Sequence, residues 1–285
     1  MKVLITGAGG QLGHALTRRL AQMHDVIALD RLALDITRHD DVERALTWHR
    51  PDVVLNAAAW TAVDRAESER AAAFAANAEA PRRLAETASH VGAMLIHFST
   101  DYVFDGSANR PYREDDPTAP LGVYGASKLA GEQAVLALPG HAVLRLSWVY
   151  GNVGHNFYRT MLKLAAERNC LRVVADQWGV PNFTGDLADA VAVMLACGPV
   201  ALRDRAGLYH LSAVGATTWH AFASEIVYLG GYGDRVQVDA IGTADYPTPA
   251  RRPAWSVLDP SRFASTFGWT PPQWQDGLRR CLAGC

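Results

Sequence analysis

At 285 residues, with 49% hydrophobic and 20% charged side chains and a net charge of −2, the chain has an ordinary globular composition and enough length for a large core. The near-neutral balance gives no footing for nucleic acid, and no uninterrupted apolar run approaches the roughly 20 residues of a membrane span. Cys170, Cys197, Cys281 and Cys285 are too few and too scattered for a disulfide framework, and no nearby histidine completes a metal set with the last two. A reducing cytoplasm is the expected setting.

Met1–Gly7 reads as a strand running into a glycine turn rather than as a leader, with the apolar strand over Lys2–Thr6. Gly13–Met23 has Leu16, Leu20 and Met23 at helical spacing. Val26–Asp30 is a second strand ending on a carboxylate, and Asp40–His49 is helix-like with Asp40 or Asp41 as its cap. Asp52–Ala59 is a buried strand, Ala66–Val91 an alanine-rich helix and Met94–Ser99 a strand; Leu121–Leu138 contains a long helix, and Ala142–Ser147 is another strand. This alternation predicts an α/β fold, a doubly wound parallel sheet with right-handed crossovers, whose ligands gather at the carboxyl ends of the strands. Residues 1–150 are read as a dinucleotide-binding domain. Beyond them the pattern loosens, with helices over Asn156–Glu167 and Trp219–Leu229 and a proline-stiffened loop over Tyr246–Pro253. Residues 151–285 are read as mainly a smaller substrate-binding region, with a soft boundary because the chain can return to the first domain.

The polar signals fall at those strand ends. Gly7, Gly10 and Gly13, in one run with Gln11 and Leu12, follow the first strand directly. Small residues there let the backbone approach a pyrophosphate, and the helix start supplies amide donors. No Gly-Lys-Ser/Thr follows, which excludes a Walker A loop. Asp30, at the end of the second strand, is placed to accept from an adenosine ribose and to repel a 2′-phosphate, whereas Arg31 attracts one, so both NADH and NADPH stay open. Asp35 and Ile36 fall near the adenine, although a loop aspartate there also suits the cap of the next helix. Tyr124 and Lys128 are one helical turn apart. A lysine cation beside a phenol favours phenolate and draws the tyrosine pKa toward the working pH, and lysine also suits the nicotinamide ribose. Thr100 is placed to donate to a substrate carbonyl, with Ser99 competing for that task.

The runs Ser99–Gly106, Tyr124–Glu132 and Ser147–Gly151 together resemble the extended short-chain dehydrogenase/reductase superfamily. Within it the chain is most similar to the dTDP-4-dehydrorhamnose reductases, a likeness that also takes in Asn56–Asp64, Asp176–Pro181, Gly207–Leu211 and Tyr246–Pro253. The resemblance implies a Rossmann-type sheet and hydride transfer from NADPH or NADH to C4 of dTDP-4-dehydro-L-rhamnose, giving dTDP-L-rhamnose for cell-surface polysaccharide. It implies Thr100, Tyr124 and Lys128 as the catalytic trio, and backbone near the cofactor at Ala57, Ala58 and Ala59. It further implies a sugar pocket at Thr61, Val63, Tyr102 and Trp148, and a phosphate contact at Arg252; core packing and a surface ion pair are the plainer readings of Trp148 and Arg252. Some relatives bridge a dimer through metal-binding carboxylates where this chain has Ala15 and Gly185, with Asp186 adjacent. The expectation is therefore no metal and a monomer or weak homodimer. The alternatives are another sugar-nucleotide reductase, a 4-epimerase, or a non-catalytic protein resembling the regulatory subunit of methionine adenosyltransferase.

Overall fold

A computed structural model describes residues 1–284; the remaining position, Cys285, lies outside the described residues. The amino-terminal part runs β1 (Lys2–Thr6), α1 (Gln11–Leu20), β2 (Asp25–Leu29), α2 (His39–His49), β3 (Val53–Asn56), α3 (Val63–Ser68), α4 (Arg70–Phe74), a π-helical turn (Ala75–Glu79) and α5 (Ala80–Val91). It continues through β4 (Met94–Thr100), α6 (Val123–Leu136) and β5 (Ala142–Leu146). Then follow β6 (Val149–Tyr150), α7 (Phe157–Glu167), β7 (Cys170–Val174), β8 (Trp178–Gly179), β9 (Asn182–Phe183), α8 (Thr184–Leu195), α9 (Gly198–Asp204) and β10 (Gly207–His210). The chain closes with β11 (Thr217–Thr218), α10 (Trp219–Val227), β12 (Gln237–Ile241), α11 (Ser261–Phe267) and α12 (Trp274–Leu282).

Six parallel strands form the central sheet in the order β10-β5-β4-β3-β1-β2. Strand alternation sends Val3, Ile5, Leu55 and Ile96 to one face, where Leu16 and Leu20 of α1 meet Leu187, Val191 and Leu195 of α8. It sends Leu4, Val54, Leu95 and Val143 to the other, under Val42 and Leu46 of α2 and Leu84 and Ala88 of α5. Burying each such leucine contributes roughly 1.5–3 kcal/mol, and with helices on both faces β3, β4 and β5 are buried along their whole length, including the polar Asn56, His97 and Arg145. A second core of Tyr150, Met161, Val173, Phe222, Ile226 and Leu278 holds α7, α10 and α12 together. The chain does return to the sheet: β10 pairs in parallel with β5, and α8 and α11 cover the same face as α1.

Three local expectations need correction. Neither Asp40 nor Asp41 caps α2; Arg38 is its N-cap, and both aspartates lie in the first turn, where they meet the positive end of the helix dipole. The strand expected over Asp52–Ala59 runs only from Val53 to Asn56; Ala57 N still donates to Thr6 O at 3.2 Å, and Ala58 and Ala59 lie beyond the strand. The single helix expected over Ala66–Val91 is broken after Ser68 and widened to π geometry at Ala75–Glu79. That bulge turns Asn77 inward. Its amide accepts from Trp60 N at 2.9 Å and donates to Trp60 O and Ser127 Oγ at 3.0 Å each, which ties the loop after β3 to α6.

Candidate active site

The order of the strands reverses between β1 and β3, with later strands added on one side and β2 on the other, and the crevice beyond their carboxyl ends is where such sheets bind ligands. Gly7 sits there with φ +67°, and a Cβ on it would lie 2.6 Å from Ala58 N. A Cβ on Gly13 would lie 2.2 Å from Gly7 O, so the turn closes only with glycine at both positions. Gly10 is the N-cap of α1 and has no side chain to satisfy the first amides of the helix, which leaves them for an anion. This cradle fits a dinucleotide pyrophosphate. Gln11 is turned to α7, donating to His155 O at 3.3 Å and accepting from Asn156 Nδ2 at 2.8 Å, while Leu12 packs on the sheet core. Ala57 and Ala58 are half-buried across the crevice and Ala59 is exposed.

Asp30 is exposed beside this turn, with its Cβ 3.5 Å from where Gly9 would carry one. Its Oδ1 accepts from the amides of Leu32 and Ala33, which fixes the carboxylate at the crevice rim. Arg31 is 86% exposed and reaches only to 3.8 Å from Asp35. Asp35 does not cap α2; it accepts from Thr37 N and Oγ1, and those bonds hold its pKa below the ordinary value. The Ile36 side chain does not face a ligand, being 5% exposed within the core under α2.

Tyr124 and Lys128 project from α6 toward the end of β4. The approach is close because residue 125 is glycine: a Cβ there would lie 2.2 Å from Tyr102 O. Thr100 is the last residue of β4 and is 5% exposed, its Oγ1 donating to Asp101 Oδ1 at 3.0 Å. Ser99 does not compete for the carbonyl, because its Oγ faces the opposite way and donates at 2.5 Å to Glu132. Glu132 is in turn paired bidentately with Arg145, at 2.7 Å and 3.0 Å, with both side chains buried. Lys128 is 2% exposed and donates to Phe98 O at 2.7 Å.

The electrostatics differ from the expectation in one respect. Burial pushes the Tyr124 phenol up to about 12; the Thr100 hydroxyl opposes this and the Asp101 carboxylate reinforces it, while Lys128 does not bring it down. Burial holds the Lys128 ammonium down to about 8, against an opposing pull from Glu132. A phenol so placed stays protonated at neutral pH, which suits a proton donor.

The far wall of the site comes from distant segments. Tyr102 packs edge-on against Tyr124, with ring centroids 5.5 Å apart. Thr61 is exposed and Val63 half-buried at the start of α3. One residue on, Asp64 receives the Arg252 guanidinium at 2.9 Å and 3.1 Å, which seats the proline-rich loop against α3 and close enough for the arginine's charge to act on the Tyr102 phenol. Trp148 follows β5 two residues after Leu146, the register partner of Thr100. It has a positive φ of 43°, a strained conformation for so bulky a residue. Its ring stacks on Trp219 at 3.5 Å and lies against Gly179, where a Cβ would come within 2.4 Å of it. Trp219 escaped the sequence reading, as did Asp101, a buried carboxylate beside Thr100 that burial raises to about 6 and whose Oδ2 has no partner. The departure from pattern at Ala15 and Gly185 is also clarified: Asp186 is engaged within the chain, accepting from Arg280 at 2.8 Å and 2.9 Å.

A glycine turn at the switch point of an open parallel sheet, with tyrosine and buried lysine on the helix after β4, places the chain in the short-chain dehydrogenase/reductase class of nicotinamide-dependent oxidoreductases. The family described as RmlD substrate binding domain matches residues 1–285. The chain is 44% identical over 295 residues to the dTDP-4-dehydrorhamnose reductase of Burkholderia thailandensis, covering 99% of this chain and 98% of that one. It is 47% identical over 286 residues to a probable dTDP-4,6-dihydroxy-2-methyloxan-3-one 4-ketoreductase of Streptomyces antibioticus, covering 99% and 95%. The crystal structure of dTDP-4-dehydrorhamnose reductase from Bacillus anthracis in complex with NADP superposes with a TM-score of 0.93 at 36% identity, covering 100% of this chain and 99% of that one. The chain belongs to the dTDP-4-dehydrorhamnose reductase family.

Proposed function

We propose that this chain reduces dTDP-4-dehydro-L-rhamnose at C4 with NADPH or NADH, giving dTDP-L-rhamnose, and that Thr100, Tyr124 and Lys128 carry the reaction. The observation behind the residue roles is the convergence of these three side chains at the end of β4, beside the glycine turn. When bound, the nicotinamide supplies the hydride. Thr100 orients the C4 carbonyl by donating to its oxygen. Tyr124 gives its proton to that oxygen as negative charge develops there, so carbonyl becomes alcohol and the phenolate left behind takes a proton back from solvent. Lys128 holds the nicotinamide ribose and supplies positive charge near the phenolate. Contacts that strengthen as charge develops are the ones that raise the rate.

The remaining assignments follow the same logic. Gly7, Gly10, Gly13, Asp30 and the Ala57–Ala59 backbone hold the cofactor, and Thr61, Val63, Tyr102, Trp148 and Arg252 the sugar nucleotide, with Arg252 exchanging part of its bond to Asp64 for a phosphate. Residues 1–150 serve the cofactor and also carry Thr61, Val63, Tyr102 and Trp148 of the sugar-nucleotide set, while residues 151–285 add Arg252 and, through β10, α8 and α11, complete the sheet layer. Among the described residues no single helix is long and apolar enough to cross a membrane. The test is to incubate the protein with dTDP-4-dehydro-L-rhamnose and each cofactor, follow nicotinamide absorbance and identify the sugar formed. Absence of cofactor oxidation sinks the reading. Turnover only with a different 4-keto sugar moves the assignment toward the Streptomyces antibioticus relative.

A further inference from the structure

Three buried polar side chains stand in line behind Lys128. Thr6 Oγ1, at the end of β1, lies 2.7 Å from Asn56 Oδ1 at the end of β3. Asn56 Nδ2 lies 3.0 Å from His97 Nδ1 in β4, and His97 Nε2 lies 3.3 Å from Lys128 Nζ. Thr6 and His97 are fully buried, Asn56 1% and Lys128 2% exposed, so each group must find its partners within the chain.

Hydrogen-bond accounting then fixes what the histidine can do. An ammonium has three donors and no lone pair. The backbone carbonyl of Phe98 takes one, and the ring nitrogen of His97 is a second acceptor within reach. His97 offers that lone pair only with its proton on Nδ1, which requires the Asn56 amide to face it with oxygen and to donate to Thr6. In the opposite arrangement Thr6 donates to Asn56 Oδ1, Asn56 Nδ2 donates to His97 Nδ1, and the Nε2 proton points at a neutral lysine amine. A half-turn of the amide interconverts the two, and its oxygen and nitrogen are nearly identical in size.

We infer that His97 is a positioning residue for Lys128: the Thr6–Asn56–His97 chain presents a ring nitrogen that accepts from the ammonium or donates to the amine, and so holds the lysine in one place in either charge state. This rests on the role given to Lys128 above and extends it, because the lysine must keep its position while the charge on its neighbour Tyr124 changes. The titratable groups around Lys128 are His97 from β4 and, one turn away on either side along its own helix, Tyr124 and Glu132, the latter paired with Arg145 of β5. The chain also joins the residue before the glycine turn to the catalytic helix through a path that is polar at every link.

Two substitutions of similar polarity separate this from a structural role. His97→Gln keeps an amide at the reach of Nε2, whereas His97→Asn extends only as far as Nδ1 and leaves Lys128 without its second acceptor. With isotope-labelled lysine Cε followed by NMR in protein without sugar nucleotide, Lys128 in H97N should titrate about one unit lower than in the native protein. The alkaline limb of kcat/KM should move down with it, with kcat about tenfold lower and sugar KM within about twofold. H97Q should stay near the native values in both measurements. A native-like Lys128 titration in H97N, or an H97Q displaced as far as H97N, overturns the inference. If H97N does not fold, Asn56→Leu, which leaves His97 without the partner that fixes its proton, is read in the same way. The NMR titration needs no turnover, so its failure is distinguishable from failure of the proposed reaction.

Discussion

Single residues decide the chemistry, and Tyr124 is the sharpest case. Tyr124→Phe removes a hydroxyl and leaves the ring packed against Tyr102. We expect turnover to fall by about 10²–10⁴-fold, the usual worth of general acid catalysis, with cofactor affinity nearly unchanged by fluorescence titration; a phenylalanine variant with native turnover removes Tyr124 from the proton step. Asp30 decides a different question. Its carboxylate is pinned at the crevice rim by two amides, while Arg31 is exposed and only loosely tied to Asp35, at 3.8 Å. We expect both cofactors to work and Asp30→Ala to move preference toward NADPH by removing repulsion of the 2′-phosphate; an unchanged ratio of kcat/KM values for the two cofactors places Asp30 outside the ribose site. Tyr124, Lys128 and the glycines were legible because their meaning is local: a fixed spacing on one turn of helix, or small residues directly after a strand. Trp219, Asp101 and His97 were not, because each acts through a partner far away in sequence or through burial. Trp148 and Trp219 meet only when α10 folds over the end of β5.

Between residue and molecule, the controlling element is α6. It carries the proposed proton donor and the lysine, and among the contacts that hold it are Gly125, where it touches the backbone of Tyr102, and Ser127, where Asn77 reaches it from the π-helical turn. Gly125→Ala puts a methyl where 2.2 Å is available to a backbone oxygen, so the helix must retreat. Overpacking of this kind costs about 1–3 kcal/mol, and the shift acts directly on Tyr124. We expect a lower melting temperature together with a kcat loss larger than any change in sugar KM; native kcat in this variant means that the helix position is not critical. Helix periodicity located α6 well. It did not reveal the π-helical turn, because an alanine-rich run looks the same with 3.6 or more residues per turn, and the extra residue is stabilised only by what Asn77 binds after folding.

For the molecule as a whole, protonation and assembly are the testable properties. His97, His141 and His210 are all held below the ordinary histidine value, chiefly by burial, and His210 lies at about 3. The unfolded chain binds protons at these positions below pH 6.5 and the folded chain does not, so stability present above 6.5 is lost as pH falls toward 3. Asp101 works in the opposite sense, since its raised pKa of about 6 makes the folded chain the better proton binder between the ordinary carboxylate value and 6. Glu114 and Asp186, also raised by burial, act with Asp101. Glu79 and Asp116, each held down to about 2 by arginine, contribute stability that is lost as pH falls, in the same direction as the histidines. We therefore expect the melting temperature to drop from pH 7 to pH 4, and a flat profile contradicts the burial of these histidines. Asp186 is engaged by Arg280, positions 15 and 185 hold alanine and glycine, and among the described residues no group of three or more His, Cys, Asp or Glu side chains is placed to hold a metal ion. We expect turnover to survive EDTA, and light scattering to give the same mass with and without Mg²⁺; a mass that doubles only with Mg²⁺ makes Asp186 the first residue to mutate. The alternation of strands and helices up to residue 150 made five of the six sheet strands legible, whereas β10 is only four residues long and comes two residues after the short helix α9, far in sequence from the rest of the sheet.

That late strand governs how the chain can be assembled in time. When synthesis has passed β5 but not β10, the sheet ends in five fully buried-type residues with one side of their backbone unpaired, and the face that α8 will cover is bare. Such an edge is a template for pairing with other chains, so the nascent protein must remain attached or protected for about sixty further residues, several seconds at ordinary translation rates. The amino-terminal segment, although it carries the proposed cofactor cradle and all three proposed catalytic residues, is therefore not a unit that can be cut free: it becomes a finished sheet only when the carboxy-terminal half comes back to close it.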